Sequence, residues 1–255
     1  MLRENRIQKI LEELYQTGKV SVTELVERLG VSDMTIRRDL NILEQRGVIE
    51  RVHGGAIVAK SSHLRIEPPV IERMGRFADE KKKIAEWVAG SIQTGETIFL
   101  GSGSTTIFLA RELIIRDDIK VVTNSIPIIY EIANNSNIEL ITIGGFLRRG
   151  ELSLIGAYAE ATLSDLHVSK VIVGMRGIHP LYGFTCENPQ ELLTDRKIFE
   201  MSENIIVIAD HTKIGHVATN RVAPIEAAKM IVTSAKSPEN LVDLIRARGV
   251  KVVLV

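Results

Sequence analysis

Apolar residues near the start of the chain recur at helical spacing. Ile7, Ile10, Leu11 and Leu14 stand at i, i+3, i+4 and i+7, one face of a helix that Gly18 ends. Ser21 and Glu24, in the run SVTE, have capping-box spacing and open a second helix. That helix carries Leu25, Val26 and Leu29 and stops at Gly30. Ser32 suits the N-cap of a third helix, and Gly47 its C-terminal stop. Then VIERV and AIV, parted by a Gly-Gly turn, predict a β-hairpin. Three helices and a hairpin make a winged helix. Only Gly30, Val31 and Ser32 separate its second and third helices, which is the tight turn of a helix-turn-helix.

The pattern lapses from Lys60 to Pro69, and Pro68–Pro69 blocks helix there. Beyond it, strand-like runs at 97–100, 120–123, 139–143, 170–174, 204–209, 229–233 and 251–255 alternate with helical patterns. Strands alternating with helices predict βαβ units and a mostly parallel, Rossmann-like sheet in an α/β domain. Near-continuous apolar strands suit a sheet covered on both faces. The expected division is a winged helix at 1–58, a linker at 59–74 and an α/β domain at 75–255.

Within the third helix, a turn of about 100° per residue puts Ile36, Leu40 and Leu43 on the inner face. Arg38 points the opposite way, flanked by Met34, Arg37 and Asn41, with Thr35 on the border. Arginine can bind guanine or phosphate, and asparagine can pair with adenine, so this face suits a major groove. Ser32 and Thr35 lie near the helix start, the part that reaches base edges. Arg51 and His53 on the wing are candidates for the adjacent backbone or minor groove.

Charge does not decide the matter. Formal net charge is zero over the 255 residues. Over residues 1–58, basic and acidic side chains balance at nine against nine. A winged helix of this balance can bind DNA or another protein. Aromatics make up 4%, which disfavours stacking on exposed bases as the main contact. The single cysteine, Cys186, allows no intramolecular disulfide, and the charged start MLRENRIQKI is no signal peptide. No apolar run approaches the ~20 residues of a membrane span. A cytoplasmic protein with no membrane partner is expected.

In the α/β domain, IFLGSGSTTIFLA runs from strand through a Gly- and hydroxyl-rich loop into a helix. Gly101 and Gly103 allow close backbone approach, while Ser102, Ser104, Thr105 and Thr106 supply hydroxyls. Free N–H groups at the helix start can hold an anion. The loop lacks the lysine of a P-loop and the G-x-G-x-x-G of a dinucleotide site, so no cofactor is expected. By itself it fits either a phosphate cradle or a tight turn. Other strand ends carry Asn124, Ser125, Gly145, Arg176, Asp210 and Lys213. Ligands bind open α/β sheets outside the carboxyl ends of strands, so these residues are candidates for one pocket. The histidines have no zinc-ligand spacing, and no metal is expected.

ELVERLGVS, TIRRDLNILEQRG and RVHGGA together resemble the DNA-binding domain of the DeoR family of bacterial regulators. The resemblance continues through IFLGSGST, VVTNS, IGG, SLIG, GMRGI, GFT and ADHTKIG. It implies TIRRDL on a recognition helix, HGGA closing a wing and a ribose-5-phosphate-isomerase-like sensor domain. It further implies a DNA operator as partner, a phosphorylated sugar as effector and repression relieved by that metabolite. By that resemblance the phosphate sits on Ser102–Thr106 with Lys213 as a cationic partner, while Asn124, Ser125 and Glu187 meet sugar hydroxyls. Two positions depart from the family's habit. Gly101 stands where Asp is common, and Arg176 where an acidic residue is common.

A homo-oligomer, dimer or tetramer, is expected, because one winged helix reads only a few base pairs. The rival reading is a sugar-phosphate isomerase-like enzyme fused to a winged-helix interaction module, with Asp210 or Glu187 as base. No enzyme activity is expected. Cys186 reads as packing.

Overall fold

The computed structural model describes residues 3–255 apart from 18, 46–48, 53, 59–67 and 136. The chain divides into two compact units, Met1–Glu67 and Pro68–Val255.

In the first unit, α1 (Arg3–Thr17) leads to β1 (Lys19–Ser21), α2 (Val22–Leu29), α3 (Asp33–Gln45), β2 (Ile49–Val52) and β3 (Gly55–Val58). Ile10, Leu14, Leu25, Ile36, Leu40 and Leu43 are buried in one core, as their spacing predicts. The side chain of Leu11 and the expected stops at Gly18 and Gly47 lie outside the described residues. Ser21 caps α2, its Oγ accepting from the Glu24 N–H at 3.2 Å. Gly30 ends α2 in the left-handed conformation, and its N–H reaches the Val26 carbonyl at 3.0 Å.

The expected hairpin is part of a three-stranded sheet, in the order β1-β3-β2. Three residues of β1 are too few to show a period of two in sequence. Gly55 admits this strand, because a Cβ there would stand 2.0 Å from the Val20 carbonyl oxygen. Asp39 reads as polar surface, yet it is 1% exposed and gripped by Arg6, Nε to Oδ2 2.5 Å. Removing one partner of a buried pair costs roughly 3–5 kcal/mol, so this bond pins α3 to α1.

The second unit begins with α4 (Val70–Met74), α5 (Ala78–Ala89), β4 (Thr97–Leu100), α6 (Ser104–Leu113), β5 (Lys120–Thr123) and α7 (Ile126–Asn135). Then come β6 (Glu139–Thr142), β7 (Phe146–Arg148), β8 (Ser153–Ile155), α8 (Ala157–Ser164), β9 (Lys170–Val173), β10 (Gly177–His179) and β11 (Gly183–Cys186). It closes with α9 (Pro189–Glu200), β12 (Ile205–Ala209), β13 (Asn220–Ala223), β14 (Met230–Thr233), α10 (Glu239–Arg246) and β15 (Lys251–Leu254).

All seven expected strands enter one sheet, in the order β15-β14-β12-β9-β4-β5-β6. Every pairing in it is parallel. Alternation along the strands feeds two cores. Phe99, Val171, Val173 and Val207 pack with α8, α9 and α10. Ile98, Leu100, Ile172, Ile206 and Ile208 pack with α5, α6 and α7. A parallel sheet between two helical layers follows. The hairpin β7–β8 and the antiparallel sheet β10-β11-β13 are additions whose short strands carry no periodic signal.

Of the expected linker, 59–67 lies outside the described residues. Its last part does not behave as a connection. The Val70 N–H donates to the Gly150 carbonyl at 2.8 Å, and Arg73 pairs with the buried Glu151. Lys81 binds the Arg73 and Arg76 carbonyls at 2.5 and 2.6 Å. These bonds place α4 inside the second unit.

Candidate functional site

On α3, the structure sorts the expected DNA-facing residues into two rows. Met34 and Arg38 form one, and Met34 is 79% exposed. Arg38 is exposed, and among the described residues it has no hydrogen bond or ion pair. Asp33, Arg37 and Asn41 form the other row, four residues apart. Arg37 holds Asp33 through Nε at 2.5 Å, and this hydrogen bond pulls the Asp33 carboxyl below its usual pKa. Asn41 accepts at Oδ1 from Arg51 of β2 at 2.8 Å. Ser32 and Thr35 are joined through their hydroxyls at 2.8 Å, and Ser32 Oγ accepts from the Thr35 N–H. Their first task is therefore to start the helix. His53 lies outside the described residues.

In the second unit, strand order marks the candidate pocket. The chain passes from β4 to β5 and β6 on one side, then returns to β9 on the other side of β4. Such a reversal leaves a crevice at the carboxyl ends of the two central strands. Leu100 pairs with Thr123 and with Ile172, and Thr123 with Thr142. The next residues of these strands, Gly101, Asn124 and Val173, therefore share one edge.

Gly103 occupies φ 146°, ψ 155°, a conformation a side chain would strain, and it caps α6. The first turn of α6 offers N–H groups without helical acceptors. Thr106 is fully buried, and its hydroxyl donates to the Gly103 carbonyl at 2.9 Å. That hydroxyl shapes the loop, leaving Ser102, Ser104 and Thr105 as the ligand-facing candidates. Gly101 packs on β9, where a Cβ would stand 2.7 Å from Val173 Cγ1. The family's common Asp has no room at this position unless Val173 shifts.

Beside this loop, three buried polar atoms lack hydrogen-bond partners among the described residues: Asn124 Oδ1, Ser125 Oγ and Ser153 Oγ. Ser125 and Ser153 face each other across an antiparallel bridge. Bonds from Leu154 N to Asn124 O at 2.8 Å and from Ile126 N to Leu152 O at 2.9 Å flank it. An unpaired buried polar atom costs about 1–3 kcal/mol, so three together form a ready set for a hydroxyl-bearing group. Ser153 was not among the residues singled out from sequence, because β8 is too short to reveal that it returns to β5.

Lys213 lies in the turn after β12, half-buried, among the cations that act on Lys81. Lys81 is 1% exposed; burial lowers its pKa to about 8, Asp210 opposes the shift, and Arg73, Lys213 and Arg76 add to it. Buried Lys81 was legible only as part of the charged run EKKK. Arg176 is half-buried between β9 and β10, and Gly145 leads into β7. Glu187, just past β11, accepts from the Thr219 hydroxyl at 3.3 Å.

The geometry also bears on the rival chemistry. Asp210 Oδ1 accepts from the Thr212 N–H at 3.1 Å and from its hydroxyl, while Oδ2 lies 3.8 Å from Lys81. Its Oδ1 caps the turn after β12. An open depression of about 650 Å³ lies at the amino ends of β9 and β12, rimmed by Glu200 and Glu203. Its acidic rim is the wrong sign for an anionic ligand. Burial, helped by Asp195 and Glu191, pushes the Cys186 thiol up to about 12. Iodoacetamide should therefore label Cys186 only after denaturation; rapid labelling of native protein would contradict its burial. No helix among the described residues is long and apolar enough to cross a membrane.

Comparison with known proteins decides the family. Residues 6–62 match the DeoR-like helix-turn-helix domain, and residues 76–235 match the DeoR C terminal sensor domain. The chain belongs to the DeoR family. It is a DNA-binding transcriptional regulator. It is 33% identical to the HTH-type transcriptional regulator FruR of Bacillus subtilis (strain 168), over 92% of this chain and 93% of that one. It is 31% identical to the glycerol-3-phosphate regulon repressor of Escherichia coli (strain K12), over 96% of each chain. Ribose 5-phosphate isomerase A from Methanocaldococcus jannaschii aligns with 53% of this chain and 54% of its own. That likeness has 17% identity and a TM-score of 0.40.

For a DeoR-family DNA-binding unit, Asp33 has a measurable role. It engages the Arg37 guanidinium at two points, Nε at 2.5 Å and Nη2 at 3.2 Å. Asp33→Asn should free Arg37 for one more phosphate contact, steepening the salt dependence of binding to a random duplex by about one unit. An unchanged slope would show that Arg37 does not reach the backbone.

Proposed function

We propose that the protein is a repressor of a carbohydrate-metabolism operon whose grip on DNA is set by a phosphorylated sugar or polyol. The DNA-contacting set is Arg38 first, with Met34, Arg37 and Asn41 beside it and Ser32 and Thr35 at the helix start. Arg51 and His53 belong to the wing. The observation that carries the effector half is the carboxyl edge of the sheet. There, the start of α6 with Ser102, Ser104 and Thr105 lies on the same edge as the three oxygens without partners among the described residues, Asn124 Oδ1, Ser125 Oγ and Ser153 Oγ. The first suits an anion, the second hydroxyls. Lys213 adds positive charge, while Gly101, Gly103, Thr106 and Gly145 shape the loops. Arg176 and Glu187 are the candidates for ligand specificity. The name of the glycerol-3-phosphate regulon repressor supports a phosphorylated polyol.

We propose the division into a winged helix at 1–58, a connection from 59 and a sensor domain that includes α4. The protein acts in the cytoplasm as a homodimer or homotetramer, which brings two recognition helices to repeated half-sites. Effector binding shifts a conformational equilibrium that changes DNA affinity.

A thermal-shift screen against glycerol 3-phosphate, ribose 5-phosphate, fructose 1-phosphate and inorganic phosphate tests the effector. At 100 times its Kd a ligand stabilises the native state by about 2.7 kcal/mol, so a sugar or polyol phosphate should raise the melting temperature by several degrees. A shift with none of the phosphorylated compounds would remove this class of effector.

A further inference from the structure

We infer that Arg51 of the wing is a positioning residue for base reading, which fixes the carboxamide of Asn41 in one orientation on the recognition helix. The inference rests on the DNA-binding reading and extends it to specificity.

Arginine carries donors only. The Asn41 atom that faces Arg51 Nη1 at 2.8 Å must therefore be the oxygen. This removes the usual freedom of an asparagine amide to turn over, because the flipped form would set NH₂ against a guanidinium. Two further observations hold Arg51 where it is. Its backbone N–H donates to Glu44 Oε1 at 3.4 Å, tying β2 to the last turns of α3. Its charge also helps lower the Asp33 carboxyl, which places the guanidinium by the Asp33–Arg37–Asn41 row. The Nε edge of Arg51 is buried. With Nε turned inward, the Nε–Nη2 fork is not presented to a phosphate or a guanine, and Nη1 is on Asn41.

The consequence is a rule for what Asn41 can read. A free asparagine presents donor and acceptor in either order. Adenine offers an acceptor at N7 and a donor at N6 in a fixed order, and pairs bidentately with only one amide orientation. An amide locked from the wing accepts adenine on one strand and rejects the reversed pair. Without Arg51 the amide turns over, and discrimination at that base pair falls. The loss should lie between about fivefold and a hundredfold, the range of one bidentate contact.

The test is selection from a random duplex library with the full-length chain, comparing wild type, Arg51→Met, Asn41→Ala and the double variant. Arg51→Met keeps much of the aliphatic stem and removes the donors. The expected result is loss of preference at one and the same base pair in all three variants, with the double variant no worse at that position than Asn41→Ala. Preference elsewhere in the site stays. Circular dichroism and melting temperature show whether Arg51→Met remains folded, and Arg51→Lys, which restores a donor, should recover part of the preference. If Arg51→Met weakens all sequences equally and lowers the salt slope by about one unit, Arg51 is a phosphate contact and the inference is wrong. If Asn41→Ala leaves the selected site unchanged, Asn41 reads no base and the inference is equally wrong. If the wild type selects no site, the DNA-binding reading fails and takes this inference with it.

Discussion

Arg38→Ala should weaken binding to a selected operator at least tenfold per recognition helix while leaving the fold intact. The side chain is exposed and, among the described residues, makes no bond, so its loss removes nothing from the folded state. Surface changes of this kind stay within about 0.5 kcal/mol. On DNA the same arginine either reads a guanine, worth about 1–3 kcal/mol, or neutralises a phosphate. A dimer carries the substitution twice, which multiplies the effect. Arg37→Ala should cost less, because Arg37 must first leave Asp33. Fluorescence anisotropy against the selected duplex and a scrambled one, with analytical ultracentrifugation for assembly, checks this. Unchanged affinity of Arg38→Ala would remove the exposed row of α3 from the interface.

Ser104→Ala combined with Thr105→Val should spare DNA binding and lose the effector response. Both hydroxyls stand in the first turn of α6, the place where an anion would sit. Hydrogen bonds to charged groups are worth about 1.5–3 kcal/mol each, so losing two should raise the half-maximal effector concentration at least tenfold. Ser153→Ala should have a smaller effect and a different one. It should weaken response to a polyol phosphate while leaving any response to inorganic phosphate unchanged. The check is the effector concentration that releases half of the bound duplex, measured with each variant. An unchanged half-point for the double variant would move the anion site elsewhere.

The large-scale fold was legible in sequence because its apolar runs are near-continuous and several alternate with helical patterns. Seven apolar runs became seven parallel strands, and α2 and α3 announced themselves through Ser21, Gly30 and Ser32. The strands that escaped, β1, β7, β8, β10, β11 and β13, all stand outside the seven-stranded sheet, and α4, α8 and α9 escaped with them. β1 and β13 pair with partners more than 30 residues away, while the hairpins β7–β8 and β10–β11 are too short to show a period of two. The Gly55 close approach that admits β1 is visible only once Val20 lies beside it. Charge was misleading too. Asp39 and Lys81 have polar identities and buried positions, Asp39 received by Arg6 of α1 and Lys81 by the carbonyls of Arg73 and Arg76.

The candidate sites divide along the same line. The helical period sufficed to set Arg38 opposite the core. It could not show that Arg37 is held by Asp33 or Asn41 by Arg51, since these bonds depend on side-chain rotamers and on the wing. The loop Gly101–Thr106 was legible as a phosphate cradle or a tight turn. Thr106 turned out to hold the loop itself. Ser153 joins Ser125 through a return of the chain that no local signal foretells.

The most direct test of the whole reading is one titration. The full-length chain is bound to a duplex recovered by selection, and release is followed as glycerol 3-phosphate, ribose 5-phosphate or fructose 1-phosphate is added, with the unphosphorylated sugars as controls. A regulator with a phosphate-holding carboxyl edge should let go of the duplex with at least one phosphorylated compound, its affinity falling by about five- to 150-fold, and ignore the controls. Sequence-specific binding that none of these phosphates alters would contradict it.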